Sequence, residues 1–268
     1  MKILLSLALV YSALVLFMYG AQTFLVFPGT RLPNRPLDHP FTPERLVLEP
    51  SGDVALDGML FAPNGGRDEG LLIGFGGNAQ DADELGQDLA ARFPTVHVAV
   101  FHYRGYGPSS GKPSEEAVLA DALVIHDTLK ARLKPALVFA YGVSLGSGVA
   151  AYFASRRPLD GAFLITPYDS IEAVAKGGYP WLPVGLLFKH RFSSVDFLRD
   201  NSTPIAIIAA ELDQVIKPKR TDALRAAIPN LVFDQTIKEA THAGLYSLPA
   251  YGHAIDRAFE ALKAARGS

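Results

Sequence analysis

The 268-residue chain contains no cysteine. That excludes a disulfide scaffold, cysteine-ligated zinc and an iron–sulfur cluster. A basic excess is also missing: 25 lysines and arginines stand against 27 aspartates and glutamates, for a net charge of -2. The balance argues against a nucleic-acid binder. No internal repeat or low-complexity segment is visible. With 49% hydrophobic and 19% charged residues spread along the chain, intrinsic disorder is excluded too.

What is present is one long apolar run at the N-terminus. Ile3 to Ala21 carries no charge and no proline. As a helix these residues would measure roughly 28 Å, close to the ~30 Å hydrocarbon thickness of a bilayer. The run accounts for nearly all of the positive mean hydropathy of +0.17. It is longer than a signal-peptide core, and Tyr19-Gly20-Ala21 puts a bulky residue where cleavage wants a small one. Residues 1–22 are therefore read as a membrane anchor or uncleaved signal. Residues 23–44, rich in proline from Phe27 to Pro43, form a connector. Residues 45–268 form one domain. Lys2 and the α-amino group favour a cytoplasmic N-terminus and an extracytoplasmic domain, although Arg31, Arg35 and Arg45 follow the run on its other side.

Within the domain, strand-like runs alternate with helix-like ones. Strands are predicted at Arg45–Leu48, Ala55–Phe61, Leu71–Phe75, Val96–Tyr103, Ala136–Tyr141, Ala162–Thr166, Ile205–Ala210 and Leu231–Ile237. Several are unbroken apolar runs, as strands buried on both faces should be. Helices are predicted at Asp83–Arg92, Glu115–Lys130, Ser147–Arg156, Lys219–Ile228 and Pro249–Ala265, with Ser114 as an N-cap. Alternation from Leu71 onward predicts a mostly parallel eight-stranded sheet covered on both faces. The first two strands have no helix between them and should start the sheet antiparallel. Ligands on such sheets bind beyond the carboxyl ends of the strands, so polar residues just after a strand are site candidates.

Gly142-Val143-Ser144-Leu145-Gly146 sits at such a place, between a strand and a helix. A strand–turn–helix elbow strains the serine, presents its Oγ above the sheet and aims a helix N-terminus at the site. A serine hydroxyl is too weakly acidic to attack an acyl carbon unaided; it needs a base, and the base needs an orienting acid. His39, His97, His102 and His126 precede the serine, and His190 and His253 lie in other contexts. His242, in a loop between the last strand and the last helix, is the candidate base. Asp213 follows the strand Ile205–Ala210 and is preferred as the acid over Asp169 and Glu211. Asp234 falls within a strand pattern on an exposed position.

Two backbone N–H donors are wanted for the oxyanion of the tetrahedral intermediate. Leu145, the residue after the serine, supplies one. The other should come from Gly76-Gly77-Asn78-Ala79, with Asn78 preferred and Gly77 and Ala79 as neighbours. This cluster lacks the Gly-x-Gly-x-x-Gly spacing of a dinucleotide loop, so a nicotinamide cofactor is discounted.

Taken together, Gly76-Gly77-Asn78-Ala79, the run Tyr103-Arg104-Gly105-Tyr106-Gly107-Pro108-Ser109-Ser110-Gly111, the serine elbow, Asp213 and His242 resemble the α/β-hydrolase superfamily. More narrowly they are similar to the membrane-associated ABHD and BEM-like serine hydrolases. The likeness spans roughly residues 25–265 and implies an α/β-hydrolase fold with a short lid at about residues 170–200. Two positions depart from the family pattern: Gly76 stands for a histidine, and His102 for an acid before Tyr-Arg-Gly. The Tyr103–Gly107 run is read as a rigid turn near the site, with Arg104 as a candidate carboxylate ligand. The resemblance implies hydrolysis of esters, lipid esters or acyl thioesters, with no metal or organic cofactor. The apolar stretch Tyr179–Phe188 suits an acyl chain or a membrane-facing entrance. An amidase or peptidase on the same triad, or an inert membrane-tethered interaction domain, are the alternatives.

Overall fold

In the computed structural model, residues 1–31, 42–64 and 68–265 are described. Most of the expected proline-rich connector, with Arg35, lies outside them. The chain opens with α1 (Lys2–Val26), a 25-residue helix with an exposed, apolar N-terminal half, followed by one 3-10 turn at Pro28–Arg31. This helix is long and apolar enough to cross a membrane.

Eight strands follow: β1 (Glu44–Ser51), β2 (Val54–Phe61), β3 (Leu71–Phe75), β4 (His97–Phe101), β5 (Val138–Val143), β6 (Gly161–Ile165), β7 (Ile205–Ala210) and β8 (Leu231–Ile237). They form one sheet in the order β1-β2-β4-β3-β5-β6-β7-β8. β1 and β2 pair antiparallel, as does β2 with β4, and every later pairing is parallel. Every residue of β3, β5, β6 and β7 is buried, which is why these strands read as continuous apolar runs.

Helices cover both faces. α2 (Ala82–Arg92) and α9 (Pro249–Ala264) pack on one through Leu85, Leu89, Ile255 and Leu262. α3 (Glu115–Leu133), α4 (Leu145–Arg156) and α8 (Pro218–Arg225) pack on the other through Leu129, Phe153 and Leu224. Ser114 caps α3 as expected, its Oγ accepting from the Ala117 N–H.

Between β6 and β7 lie α5 (Ile171–Gly178), α6 (Val184–Leu187) and α7 (Ser194–Leu198). Phe192 and Leu198 are fully buried in the α3–α4 core, so the end of this stretch belongs to the body of the domain. The outward-facing part is residues 171–188, where Tyr179, Trp181 and Leu186 are exposed. This shorter piece, which follows the carboxyl end of β6, is referred to below as the cap.

Candidate active site

Ser144 sits between β5 and α4 with φ 49° and ψ -115°, a left-handed conformation that strains a residue with a side chain. The elbow is tight because glycine allows it. A Cβ on Gly142 would lie 2.3 Å from the Gly146 carbonyl oxygen, and one on Gly146 would lie 2.1 Å from the Phe75 carbonyl oxygen. Ser144 makes no side-chain cap to α4, so its hydroxyl is not spent on the helix.

The three residues expected at the triad positions are brought together. His242 Nε2 is 3.1 Å from Ser144 Oγ, and His242 Nδ1 is 2.7 Å from Asp213 Oδ2. Asp213 is buried, and its other oxygen accepts from the backbone N–H groups of Val215 at 2.8 Å and Ile216 at 2.7 Å. With its other oxygen occupied by two amides, Asp213 Oδ2 accepts a hydrogen bond from the Nδ1–H of His242, which leaves Nε2 as the acceptor facing the serine hydroxyl.

The rival acids are engaged elsewhere. Asp169 pairs with Arg220 at 2.9 Å, and burial raises its carboxyl above the ordinary range. Glu211 accepts from the Glu239 N–H at 2.9 Å. Asp234 is exposed on β8 and pairs with Arg225. Arg104 forms a two-pronged ion pair with Asp121, which occupies the guanidinium expected to be available to a ligand.

Leu145 opens α4, so its N–H has no intrahelical partner. The glycine-rich loop lies close by: a Cβ on Gly77 would be 3.7 Å from Ser144 Cβ. Each successive peptide of this loop is held. Tyr103 donates to the Gly76 carbonyl at 2.8 Å, the Gln80 N–H to the Gly77 carbonyl at 3.3 Å, and Tyr106 to the Asn78 carbonyl at 2.9 Å. The Gly77 N–H in turn donates to Gln80 Oε1 at 3.0 Å. Burial pushes both phenols well above their ordinary value, so they stay protonated donors. Gln80, Tyr103 and Tyr106 were not singled out by sequence as holding this loop. The Tyr-Arg-Gly-Tyr run was the available signal, and its tyrosines reach across to a loop 27 and 28 positions away.

Of the two departures noted in the sequence, Gly76 offers its carbonyl to Tyr103, and His102 sits in an ion-pair network. His102 donates or accepts through Nε2 at 2.9 Å from Asp83 Oδ1, and Arg45 bridges Asp83 at 3.2 Å and Asp57 at 2.6 Å. Burial works against the charged form of Asp83, but His102 and Arg45 outweigh it and hold the carboxyl below its usual value. Among the described residues, Asp81, Asp83 and His102 have ligand atoms within 4.8 Å of one another, the spacing a metal site needs. Arg45 already neutralises Asp83, and Asp81 caps α2 by accepting from the Asp83 N–H at 2.7 Å, so this is an ion-pair network.

Residues 71–194 match the family model of the alpha/beta hydrolase fold, a span that includes Ser144 and the glycine-rich loop. The chain is 29% identical over 225 residues to the uncharacterized protein Rv2307c of Mycobacterium tuberculosis, covering 82% of this chain and 80% of that one. It is 33% identical over 138 residues to the lysophosphatidylserine lipase ABHD12 of Danio rerio; that match covers 45% of this chain and 36% of the lipase. Among solved structures, an esterase of Pyrococcus furiosus superposes with TM-score 0.67 at 16% identity, over 85% of this chain and 96% of the esterase. Est1E of Butyrivibrio proteoclasticus also gives 0.67 at 16% identity, over 82% and 99%.

Proposed function

For this chain, a member of the α/β-hydrolase superfamily that resembles ABHD proteins, we propose a membrane-anchored serine hydrolase acting on carboxylic esters or acyl thioesters. The observation that carries the reading is the unbroken hydrogen-bonded series Ser144–His242–Asp213 beside a strained elbow. An inert tethered domain has no need of that strain, and the likeness to a lipase and to esterases favours an acyl-ester substrate.

In this reading Ser144 Oγ attacks the acyl carbon while His242 Nε2 takes its proton. Negative charge gathers on the former carbonyl oxygen, where the Leu145 and Asn78 N–H groups receive it. The carbon–oxygen or carbon–sulfur bond then breaks, and the leaving group departs with the proton from His242. Water repeats the attack on the acyl-enzyme and gives its proton to His242; the bond between Ser144 Oγ and the acyl carbon then breaks, His242 returns the proton to Ser144 Oγ, and the acid departs. Asp213 keeps the imidazole in the tautomer that can accept from serine. The same triad would serve an amide substrate, since leaving-group preference depends on the pocket.

Residues 1–22 are assigned to the anchor, 23–44 to the connector and 45–268 to the catalytic domain, with the domain on the extracytoplasmic side. Lys2 and the length and apolarity of α1 support this placement. A fluorophosphonate probe should label the wild type and leave Ser144→Ala unlabelled. Undiminished labelling of Ser144→Ala would overturn the assignment. Hydrolysis of an aminoacyl amide in preference to p-nitrophenyl esters would redirect it to amidase chemistry.

A further inference from the structure

α1 does more than reach towards a membrane: its second half is docked on the cap. Gln22 is buried, and its side chain donates to the carbonyls of Tyr19 at 2.9 Å and Leu187 at 3.3 Å while accepting from the Lys189 N–H at 2.7 Å. Thr23 Oγ1 is 2.7 Å from His190 Nε2, and the Lys189 ammonium sits 4.0 Å from the Tyr19 ring centroid. Higher along the helix, the Tyr11 hydroxyl donates to the Trp181 carbonyl at 2.9 Å. A buried glutamine on an apolar helix is costly unless its hydrogen bonds are met, and here they are met by Tyr19 of the same helix, by Leu187 of the cap and by Lys189 just beyond it.

Between the helix and the cap lies a groove of about 360 Å³. Val15 and Met18 of α1 form one side; Val174, Leu187 and Phe188 of the cap form the other. Its further wall includes Val215, whose N–H binds the Asp213 carboxylate. The groove thus touches the loop that carries the triad acid. A dry cavity of ~150 Å³ accepts a benzene ring, so this one holds on the order of a dozen carbons, one alkyl chain.

The length of α1 sets the depth. Its 25 residues give roughly 37 Å, against ~30 Å of hydrocarbon. The groove-lining part, Val15–Val26, takes up roughly the last 17 Å of the helix. A helix that spans the bilayer must therefore carry much of the groove below the headgroups. The Tyr11–Trp181 contact, roughly 14 Å from the start of α1, brings the tip of the cap to hydrocarbon depth as well. The exposed Tyr179, Trp181 and Leu186 give the cap an apolar surface there.

We propose that the groove between α1 and residues 171–188 is the acyl-binding site, so that a single-chain lipid ester enters sideways from the bilayer. The anchor is then a wall of the substrate site. This rests on the serine-hydrolase reading, and two readouts keep the two ideas apart. In bilayer nanodiscs, full-length Met18→Trp should lower kcat/KM for p-nitrophenyl dodecanoate about tenfold or more, because several methylenes lose their burial. Its p-nitrophenyl acetate hydrolysis and fluorophosphonate labelling should stay within about twofold of wild type, since a two-carbon acyl group need not enter the groove. Leu7→Trp, on an exposed part of the same helix away from the groove, should change neither ester. Independently of turnover, a diazirine-bearing twelve-carbon fatty acid should photolabel peptides of α1 and α5 in the wild type and lose that labelling in Met18→Trp. Equal loss of both esters in Met18→Trp, no loss of either, or crosslinks confined to other surfaces would overturn the proposal. Crosslinking in the groove of a protein that fails to react with fluorophosphonate would sink the hydrolase reading and leave the acyl site standing.

Discussion

Replacing Gly146 by alanine tests how closely the elbow is built. The added Cβ would meet the Phe75 carbonyl oxygen at 2.1 Å and the Gly76 carbonyl oxygen at 2.6 Å. An ordinary carbon–oxygen contact is ~3.3 Å, so helix and strand must part by roughly 1.2 Å. Neither obstacle is a side chain that can swing away. Phe75 ends β3, which is paired on both sides at the middle of the sheet. The first turn of α4 must therefore shift, taking Leu145 and Ser144 away from the glycine-rich loop. Overpacking of this kind costs about 1–3 kcal/mol. In a chain of 268 residues that is a fall in Tm of roughly 2–5 °C. A displacement of ~1 Å at the reacting groups costs on the order of 100-fold in rate. The expected result for Gly146→Ala is thus a folded protein, several degrees less stable, with kcat/KM for p-nitrophenyl butyrate down about two orders of magnitude. Gly177→Ala is the control: nothing lies within 4 Å of its added Cβ, and alanine there should stabilise α5 by up to about 1 kcal/mol. A Gly146→Ala protein with wild-type Tm and a rate within about threefold would refute the reasoning.

Three further outcomes follow from the same geometry. Ser144→Gly should abolish hydrolysis yet raise stability over Ser144→Ala by about 1 kcal/mol, because glycine relaxes the φ of 49°; equal Tm values by calorimetry would deny that strain is stored there. Tyr106→Phe removes one hydrogen bond to the Asn78 carbonyl and should cost about 1 kcal/mol of stability with a roughly tenfold drop in kcat at unchanged KM, as steady-state kinetics will show. Burial, then the nearby Lys189, lowers the pKa of His190 below its ordinary 6.5, so the unfolded chain binds a proton that the native imidazole resists. Stability should fall as pH drops from about 7.5 through 6.5 towards the folded value, and His190→Gln should flatten that slope in denaturant titrations; an unchanged slope would remove His190 from the account.

The sheet was legible because strands buried on both faces leave unbroken apolar runs. Leu71–Phe75 and Ile205–Ala210 have the bounds their apolar runs predict, and so does the half-buried edge strand Leu231–Ile237. The edges went astray where the chain turns for reasons outside the strand. The fourth strand was read through to Tyr103, but β4 stops at Phe101 and Tyr103 is drawn off to the glycine-rich loop. β5 was read as ending at Tyr141, and it runs on to Val143 because Gly142 fits the ladder beside Leu164. α4 begins at Leu145 and not at Ser147, directly after the serine. Ser144 and His242 could be picked from sequence since chemistry restricts them to loops after strands. Between Asp213 and Asp169 the structure separates the two by partners: Arg220, 51 positions from Asp169, engages one, and His242, 29 positions from Asp213, meets the other. Contacts of that range leave no local trace. The docking of α1 on the cap, across 165 to 170 positions, was hidden for the same reason.

A loop of small residues is ordinarily the segment whose peptide planes flip most freely. At residues 76–79 that freedom is gone. In a trans peptide the carbonyl and the following N–H point in opposite directions, so holding one aims the other. Tyr103, the Gln80 amide and Tyr106 hold three successive carbonyls, and with them the directions of the Gly77, Asn78 and Ala79 amides. The Gly77 amide is already spent on Gln80. The dipoles beside Ser144 are therefore set before any substrate arrives, and charge appearing on the acyl oxygen would not have to wait for, or work against, a rearranging backbone.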